Sequence, residues 1–261
     1  MSSASTAEDE LGHILTEYCN LNRNISDIEI VDNLLTKVSE DLRYELLSSI
    51  RDSDGDTVLA RAAWRGHTEL CVTLLLCLPP ADRLKLIFVN KRTALQRAAC
   101  WGYTETVKGI LNCLTADQQL QLLFTHDSDG DTALHDAASK GHTETVKTLL
   151  DRLTPEQQMK LLFTQDIDGK TALHFAARWG HTEAMKTLLD NLTPEQQLQL
   201  LAVQNKEGKT ASQEADWYYG AADRMRILQH YQKEADYRLN FRKFAKFSLN
   251  FKHPTNQCFI A

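Results

Sequence analysis

A segment of about forty residues recurs along this chain, and its copies stay in register over most of the length. The equivalent threonines are spaced by 36, 39, 39 and 39 residues, and they are Thr57, Thr93, Thr132, Thr171 and Thr210. The first four copies read T-x-L-x-x-A-A-x-x-G-H/Y-T-E and continue into an apolar-periodic stretch. This pattern predicts a short helix, a glycine turn and a second helix. Such units stack on one another, so the chain is predicted to be an extended solenoid with a long binding surface.

The core T-A-L-H-x-A-A-x-x-G-H resembles the ankyrin repeat, whose usual signature is T-P-L-H-x-A with a period of about 33 residues. The resemblance covers roughly residues 50 to 230. It implies an all-α ankyrin-repeat solenoid with β-turn fingers, whose first helices line a groove that binds other proteins. The sequence contains no G-x-S-x-G, H-E-x-x-H or P-loop motif and no Cys/His nucleophile arrangement. We therefore expect neither enzymatic activity nor a cofactor.

Each repeat is about six residues longer than the usual ankyrin repeat, and the added residues have a pattern of their own. In LTPEQQMKLLF, Thr154 can cap a helix, Pro155 suits its first position, and Gln157 completes the capping box T-x-x-Q. The same start recurs at Thr193 and, without proline, at Thr115. This predicts a third short helix per repeat. Its apolar residues, which would dock on the outer wall of the stack, are Leu153, Leu161, Leu162 and Phe163.

The two ends of the chain depart from the repeat. Residues 1–51 are predicted to form a helical cap with a half-repeat, because the stretch from Ile30 aligns with the stretch from Thr145. Residues 52–235 hold about five repeats, the last of which is divergent, and residues 236–261 form a basic and aromatic tail. The cap is predicted to contain an amphipathic helix, because its apolar residues recur at helical spacing; they are Leu11, Ile14, Leu15 and Tyr18.

Composition excludes several classes of protein. The net charge of -6 argues against a general nucleic-acid surface, so we expect no nucleic-acid partner. No apolar run reaches the roughly 18 residues that span a bilayer, and the hydrophilic start MSSASTAEDE argues against a secretory signal peptide. The six cysteines form no C-x-x-C pair, and we expect reduced thiols in a cytoplasmic setting.

Two recurring motifs imitate metal sites. Residues 52–56 and 127–131 resemble the start of a calcium loop. In both, however, the sixth position of the loop is not glycine and the twelfth is not a carboxylate. They are predicted to be fingertip turns, with their acidic side chains in water and with Gly55, Gly130, Gly169 and Gly208 in the turn. The recurring histidines lie one repeat apart, which is too far for them to share a metal ion, so we expect no metal site. They are predicted to form hydrogen bonds within their repeats and are His67, His135, His142, His174 and His181.

The chain ends in Cys258-Phe259-Ile260-Ala261, which has the form of a C-a-a-X prenylation box. Prenylation of Cys258 by a eukaryotic prenyltransferase would anchor the chain to a membrane, and basic residues would add attraction to anionic lipids. These residues are Arg238, Arg242, Lys243, Lys246 and Lys252. The alternative is a structural tail, in which Phe241, Phe244 and Phe251 pack on the last repeat and the basic residues form a solvated face.

Positions that vary between repeats are the candidates for partner binding, because packing holds the scaffold positions alike. The residue before each Ala-Ala pair and the two residues after it are rich in tryptophan and arginine, a composition typical of interface hot spots. The predicted partner-binding residues are Arg61, Trp64, Arg65, Arg97, Trp101, Lys140, Phe175 and Trp179. The three arginines predict an acidic partner surface, and the three tryptophans predict an exposed patch unless an indole folds between helices.

These observations leave two main hypotheses. In the first, a monomeric, non-catalytic scaffold holds a protein partner in its groove, and a prenyl anchor places it on a cytoplasmic membrane face. This architecture resembles the prenylated ankyrin effectors that intracellular bacteria of the Legionella type inject into host cells, although an F-box pattern is missing here. In the second, the chain is a soluble ankyrin inhibitor or scaffold with a structural tail. Binding of RNA or lipid headgroups by the basic tail alone ranks lower, because the net charge is negative.

Overall fold

The computed structural model describes residues 3–21, 28–89, 91–190, 192–215 and 221–250, without the side chains of 3–5, 20, 21, 221 and 241–250. Within these ranges the chain forms seventeen helices and no β-strand, so the predicted all-α fold is confirmed. Isolated β-bridges close two of the fingers, between Arg51 and Thr57 and between Gln204 and Thr210.

Each of the four complete repeats contains three helices, as predicted. The N-terminal unit consists of α1 (Ser3–Leu21), α2 (Ile28–Lys37) and α3 (Glu40–Ser49). The complete repeats consist of α4 (Val58–Arg65), α5 (Thr68–Leu76) and α6 (Pro80–Ile87); α7 (Ala94–Cys100), α8 (Thr104–Asn112) and α9 (Ala116–Leu123); α10 (Ala133–Lys140), α11 (Thr143–Leu150) and α12 (Pro155–Leu162); and α13 (Ala172–Trp179), α14 (Thr182–Asp190) and α15 (Pro194–Leu201). The last repeat holds α16 (Ala211–Glu214) and α17 (Ala221–Asn250).

The first helix of a repeat is delimited by its threonine and its glycine. The Thr57 hydroxyl accepts a hydrogen bond from the Ala60 N–H at 3.3 Å, which caps the start of α4. Gly66 ends α4 in the left-handed region, at φ 74°. A Cβ atom at this position would also come within 2.5 Å of the Tyr103 ring in the next repeat. The glycine is thus required both by its backbone conformation and by the close approach of the next repeat.

Histidines cap these helices across the repeat boundary. The Nε2 atom of His142 donates to the Cys100 carbonyl at 3.2 Å, and that of His181 donates to the Ser139 carbonyl at 3.1 Å. Both bonds join neighbouring repeats, so the prediction that these histidines bond within their own repeats is wrong. The exposed carbonyls at the end of a first helix need donors, and the next repeat is the nearest source. In the divergent last repeat, Arg224 donates to the Ala177 and Arg178 carbonyls instead.

The histidines of the T-A-L-H motif belong to capping boxes at the start of α10 and α13. His135 Nδ1 lies 2.9 Å from the Thr132 hydroxyl, and His174 makes the same contact with Thr171, which confirms hydrogen bonding within the repeat for this pair. His174 also donates through Nε2 to the Lys209 carbonyl of the next repeat. Burial lowers the pKa of His135 to about 4, so its ring is neutral at physiological pH.

The predicted third helices are confirmed at α9, α12 and α15, each of which starts in a Thr/Gln capping box. The side-chain amide of Gln158 donates to the Leu150 and Leu153 carbonyls and so fastens α12 to α11. Arg43 and Arg83 occupy the equivalent position in earlier units. Their Nη1 atoms donate to the Cys77 and Cys113 carbonyls of the following repeat, both at 2.9 Å. The N-terminal units are therefore linked to their neighbours through their third helices.

The hydrophobic core runs continuously along the stack. Leu149 of α11 and Leu188 of α14 are fully buried, and Leu11, Leu15 and Tyr18 are buried on α1, which packs against α2 and against α4 of the first repeat. At the opposite end α17 packs against α15 and α14. This helix continues without interruption across position 236, where the sequence suggested the start of a separate tail.

We expect Leu149→Ala to lower the free energy of unfolding by about 2 to 4 kcal/mol, because it removes buried methyl groups and leaves a cavity between repeats. Leu76→Ala is the matched control, since Leu76 is 54% exposed on α5 and its replacement should change stability by less than about 0.5 kcal/mol. Urea unfolding followed by circular dichroism measures both values. Equal losses in the two variants would contradict the placement of α11 in the core.

Candidate partner-binding face

The eight predicted partner-binding residues lie on the stacked first helices or directly after them. We call this surface the first-helix face; it comprises Arg61, Trp64, Arg65, Arg97, Trp101, Lys140, Phe175 and Trp179. Helices α4, α7, α10, α13 and α16 contact one another in this order, which places the eight residues along one row. Trp101 is 52% exposed and Trp179 is 50% exposed, and Lys140 is exposed as well. The other five residues are half-buried.

Two of the tryptophans form a pair across the first two repeats. The rings of Trp64 and Trp101 are 5.7 Å apart at an interplanar angle of 85°, an edge-to-face arrangement. The Arg61 guanidinium lies 5.2 Å from the centre of the Trp64 ring, which is covered from that side. Trp64 is therefore half-buried, whereas the sequence had suggested three exposed indoles. It supports Trp101, which remains open to a partner.

The arginines of this face already have partners within the chain. Arg61 forms ion pairs with Asp52 and Asp54, and Arg97 forms an ion pair with Asp56 at 2.6 Å. Asp52 and Asp56 are buried, so the prediction that these acidic side chains stay in water is wrong. A buried carboxylate needs a compensating charge, and the first-helix arginines supply it.

Arg65 is also held within the chain, but by a backbone carbonyl and an aromatic ring of the N-terminal unit. Its Nη1 atom donates to the Tyr18 carbonyl at 3.0 Å, and its guanidinium lies 4.6 Å from the centre of the Tyr18 ring. Arg61, Arg65 and Arg97 are therefore all held by contacts within the chain. The acidic partner surface predicted from these three residues stays a prediction, and their internal contacts weaken its basis.

The calcium-like motifs form the fingertip turns. One carboxylate oxygen of Asp52 accepts hydrogen bonds from the Asp54 and Asp56 N–H groups, both at 2.9 Å, and Gly55 takes a φ of 79°. Asp127 makes the equivalent bonds to Asp129 and Asp131. The aspartate side chains are thus used as backbone acceptors. Across the part of the chain that the structure describes, no cluster of three or more His, Cys, Asp or Glu side chains is placed to hold a metal ion.

A second carboxylate cluster, which sequence reasoning missed, lies between the second and third fingers. Arg92 forms ion pairs with Asp127 and Asp136, the first at 3.1 Å, and Asp131 stands beside them. Burial and the neighbouring carboxylates raise the pKa of Asp131 to about 7. Burial also raises the pKa of Asp136 to about 6, against the opposing effect of Arg92. The Arg92 guanidinium is therefore the positive charge beside three carboxyl groups. The appearance of Asp136 where other repeats have arginine or phenylalanine was the available signal.

The predicted membrane-binding residues are only partly described. Arg238 is exposed on α17 and pairs with Glu234 at 3.2 Å. Arg242, Lys243 and Lys246 lie on the same helix, but their side chains are outside the described residues, as are those of Phe241 and Phe244. Phe251, Lys252 and Cys258 lie wholly outside the described residues. Within the described ranges, no helix is both long enough and apolar enough to cross a membrane.

Comparison with protein families agrees with the stacked helices and fingers. The family described as ankyrin repeats matches in three copies, at residues 19–122, 84–160 and 115–199. The chain belongs to the ankyrin-repeat family. These matches together cover 19–199, which is more than half of the 261 residues. Ankyrin repeats are protein–protein interaction modules and are generally non-catalytic. Among curated proteins, no relative matches this ankyrin-repeat chain.

We expect Asp131→Asn to change how the stability of this ankyrin-repeat protein depends on pH. A carboxyl group whose pKa is raised by folding adds to the free energy of unfolding at low pH. That stabilising contribution is lost as the pH rises from about 4, the pKa in the unfolded chain, to about 7, the pKa in the folded chain. The variant should therefore be as stable as the wild type near pH 4 and more stable at pH 8. The expected gain in the free energy of unfolding is only about 1 kcal/mol, because solvent screens this partly exposed group.

Thermal unfolding at the two pH values measures this difference. Asp129→Asn is the matched control, since Asp129 is exposed in the same finger and its replacement should have the same small effect at both pH values. An Asp131→Asn variant that loses stability at pH 8 would show that the ionised carboxylate stabilises the cluster.

Proposed function

We propose that this ankyrin-repeat protein is a non-catalytic adaptor, which binds a protein partner on its first-helix face and is held on a cytoplasmic membrane face by prenylation of Cys258. The observation that supports partner binding is the exposure of Trp101 and Trp179 on the first-helix face. Large exposed aromatic rings are uncommon on a surface without a partner, and tryptophan dominates interface hot spots.

The proposed binding site is centred on Trp101. The Trp64 ring fixes the Trp101 indole from one side, so little side-chain freedom is lost when a partner covers it. The nearby arginines are held in internal ion pairs, and an acidic partner would have to displace Asp52 or Asp56 to reach them. We therefore propose a partner that covers the indole with apolar or aromatic side chains, in preference to one with a strongly acidic surface.

The proposed tether rests on the sequence of the C-terminal segment. Cys258 is the fourth residue from the end, in a C-a-a-X pattern, and Arg238, Arg242, Lys243, Lys246 and Lys252 precede it. One lipid chain gives weak membrane binding, and a group of cations supplies the second attraction. In this proposal a eukaryotic prenyltransferase modifies the tail. The chain would then act as a bacterial effector of the kind it resembles, placed on a host membrane.

We expect Trp101→Ala to leave the melting temperature nearly unchanged and to weaken partner binding by at least about 2 kcal/mol. Wild-type and variant proteins serve as bait in eukaryotic lysate, and captured proteins are quantified by mass spectrometry. Met159→Ala is the control, because Met159 is exposed on the third helix α12, away from the first-helix face. A loss of melting temperature as large as that of Leu149→Ala would show that the indole is part of the core.

We expect the wild type to carry an isoprenoid and to partition into membranes when it is expressed in eukaryotic cells, and Cys258→Ser to remain unmodified in the cytosol. Intact mass and membrane fractionation measure the two properties together. If both proteins stay unmodified and cytosolic, the tether is refuted. The soluble ankyrin scaffold, with α17 as its C-terminal cap, then becomes the better account.

A further inference from the structure

A groove on the outer side of the stack is separate from the first-helix face. It lies between α2 of the N-terminal unit and α5 of the first repeat, and has a volume of about 720 Å³. Its apolar lining includes Ile28, Val72 and Leu76, the last of which is among the most exposed leucines of the described chain. Later in the stack the second helices approach more closely, and the Thr68 and Thr106 hydroxyls of α5 and α8 lie 2.7 Å apart.

The rim of this outer groove is acidic. Glu29 and Asp32 of α2 and Glu69 of α5 line it, and all three are exposed. The one basic residue of the lining is Arg43, whose guanidinium donates to the Val38 and Cys77 carbonyls. Three carboxylates therefore face one cation that is already held by the backbone. An apolar lining with an acidic rim suits a helix that carries both apolar and basic side chains.

The chain itself contains a segment of that chemistry at its other end. Residues 238–252 include five cations and four phenylalanines but no acidic residue. Arg238, Arg242 and Lys246 recur at every fourth position, and the backbone is helical as far as Asn250. At the start of this segment Arg238 is exposed, and the preceding Tyr237 is 70% exposed, so both side chains lie at the surface of the solenoid.

We infer that the outer groove binds segment 238–252 of a second copy of this chain, so that unlipidated molecules associate head to tail. The groove belongs to the N-terminal unit and first repeat, whereas the segment follows the last repeat. The contact is therefore heterologous, and it can be repeated from one molecule to the next. This inference replaces the monomer expected from the sequence, and it does not depend on the proposed function of the first-helix face.

Sedimentation velocity on the unlipidated full chain tests this inference. The average mass should rise with protein concentration, and the association should weaken as salt is added, because it depends on exposed charges. Asp32→Lys/Glu69→Lys should weaken it at least about tenfold, and so should Arg242→Glu/Lys246→Glu. The control is Asp9→Lys/Glu10→Lys, which makes the same change of charge at exposed positions on α1 and should associate as the wild type does.

A mixture of the two defective variants gives the sharper result. The groove variant retains an intact segment and the segment variant retains an intact groove, and the reversed charges of the two variants also complement each other. The mixture should therefore regain association, while each variant alone associates at least about tenfold more weakly than the wild type.

A wild type that is monomeric at every concentration would overturn the inference. Association that the control reduces as much as the groove variant does would overturn it too. Circular dichroism confirms that each variant is folded. Should a variant fail to fold, binding of a labelled peptide of residues 238–252 to the wild type decides the question, and its absence refutes the groove. None of these outcomes bears on Trp101 or Cys258.

Discussion

Burial of apolar side chains between neighbouring repeats is the interaction on which the rest of this structure depends. The helices of one repeat are too short and too few to cover their own apolar faces, so Leu149 and Leu188 become buried only when the next repeat is in place. The hydrogen bonds that cross repeat boundaries, such as those from His142 and His181, then fix the orientation of each unit on the previous one. The first helices thereby form a continuous row that presents one surface.

The charges of the first-helix face have a structural role. Arg61 and Arg97 compensate aspartates that the first fingertip turn buries, and Arg92 of the second finger compensates carboxylates of the third finger and of α10. These ion pairs connect fingers to helices and leave the exposed tryptophans as the prominent feature of the surface. Recognition would then depend on shape and apolar contact, with Trp101 at the centre and the paired charges around it.

Much of this architecture could be predicted before any coordinates were known. The repeat spacing indicated the stack, Thr154 and Gln157 indicated the third helix, and the glycines indicated the turns, because each is a local signal that short-range geometry satisfies. The candidate site was predicted less completely. Its residues were found from their variation between repeats, but the buried state of Asp52 and the supporting position of Trp64 depend on contacts with residues of other repeats or other elements.

The sequence by itself determined the period, the turns and capped starts of the repeat helices, and the family of this protein, because capping boxes, glycine turns and apolar spacing act over a few residues. Only the tertiary structure decided which charges are free and which are paired. Arg97 and Lys140 look alike in a sequence, yet Arg97 forms an ion pair with Asp56 of the preceding repeat and Lys140 is exposed. The physical reason is that burial and ion pairing depend on what the neighbouring repeat places opposite each side chain, which a single repeat cannot reveal.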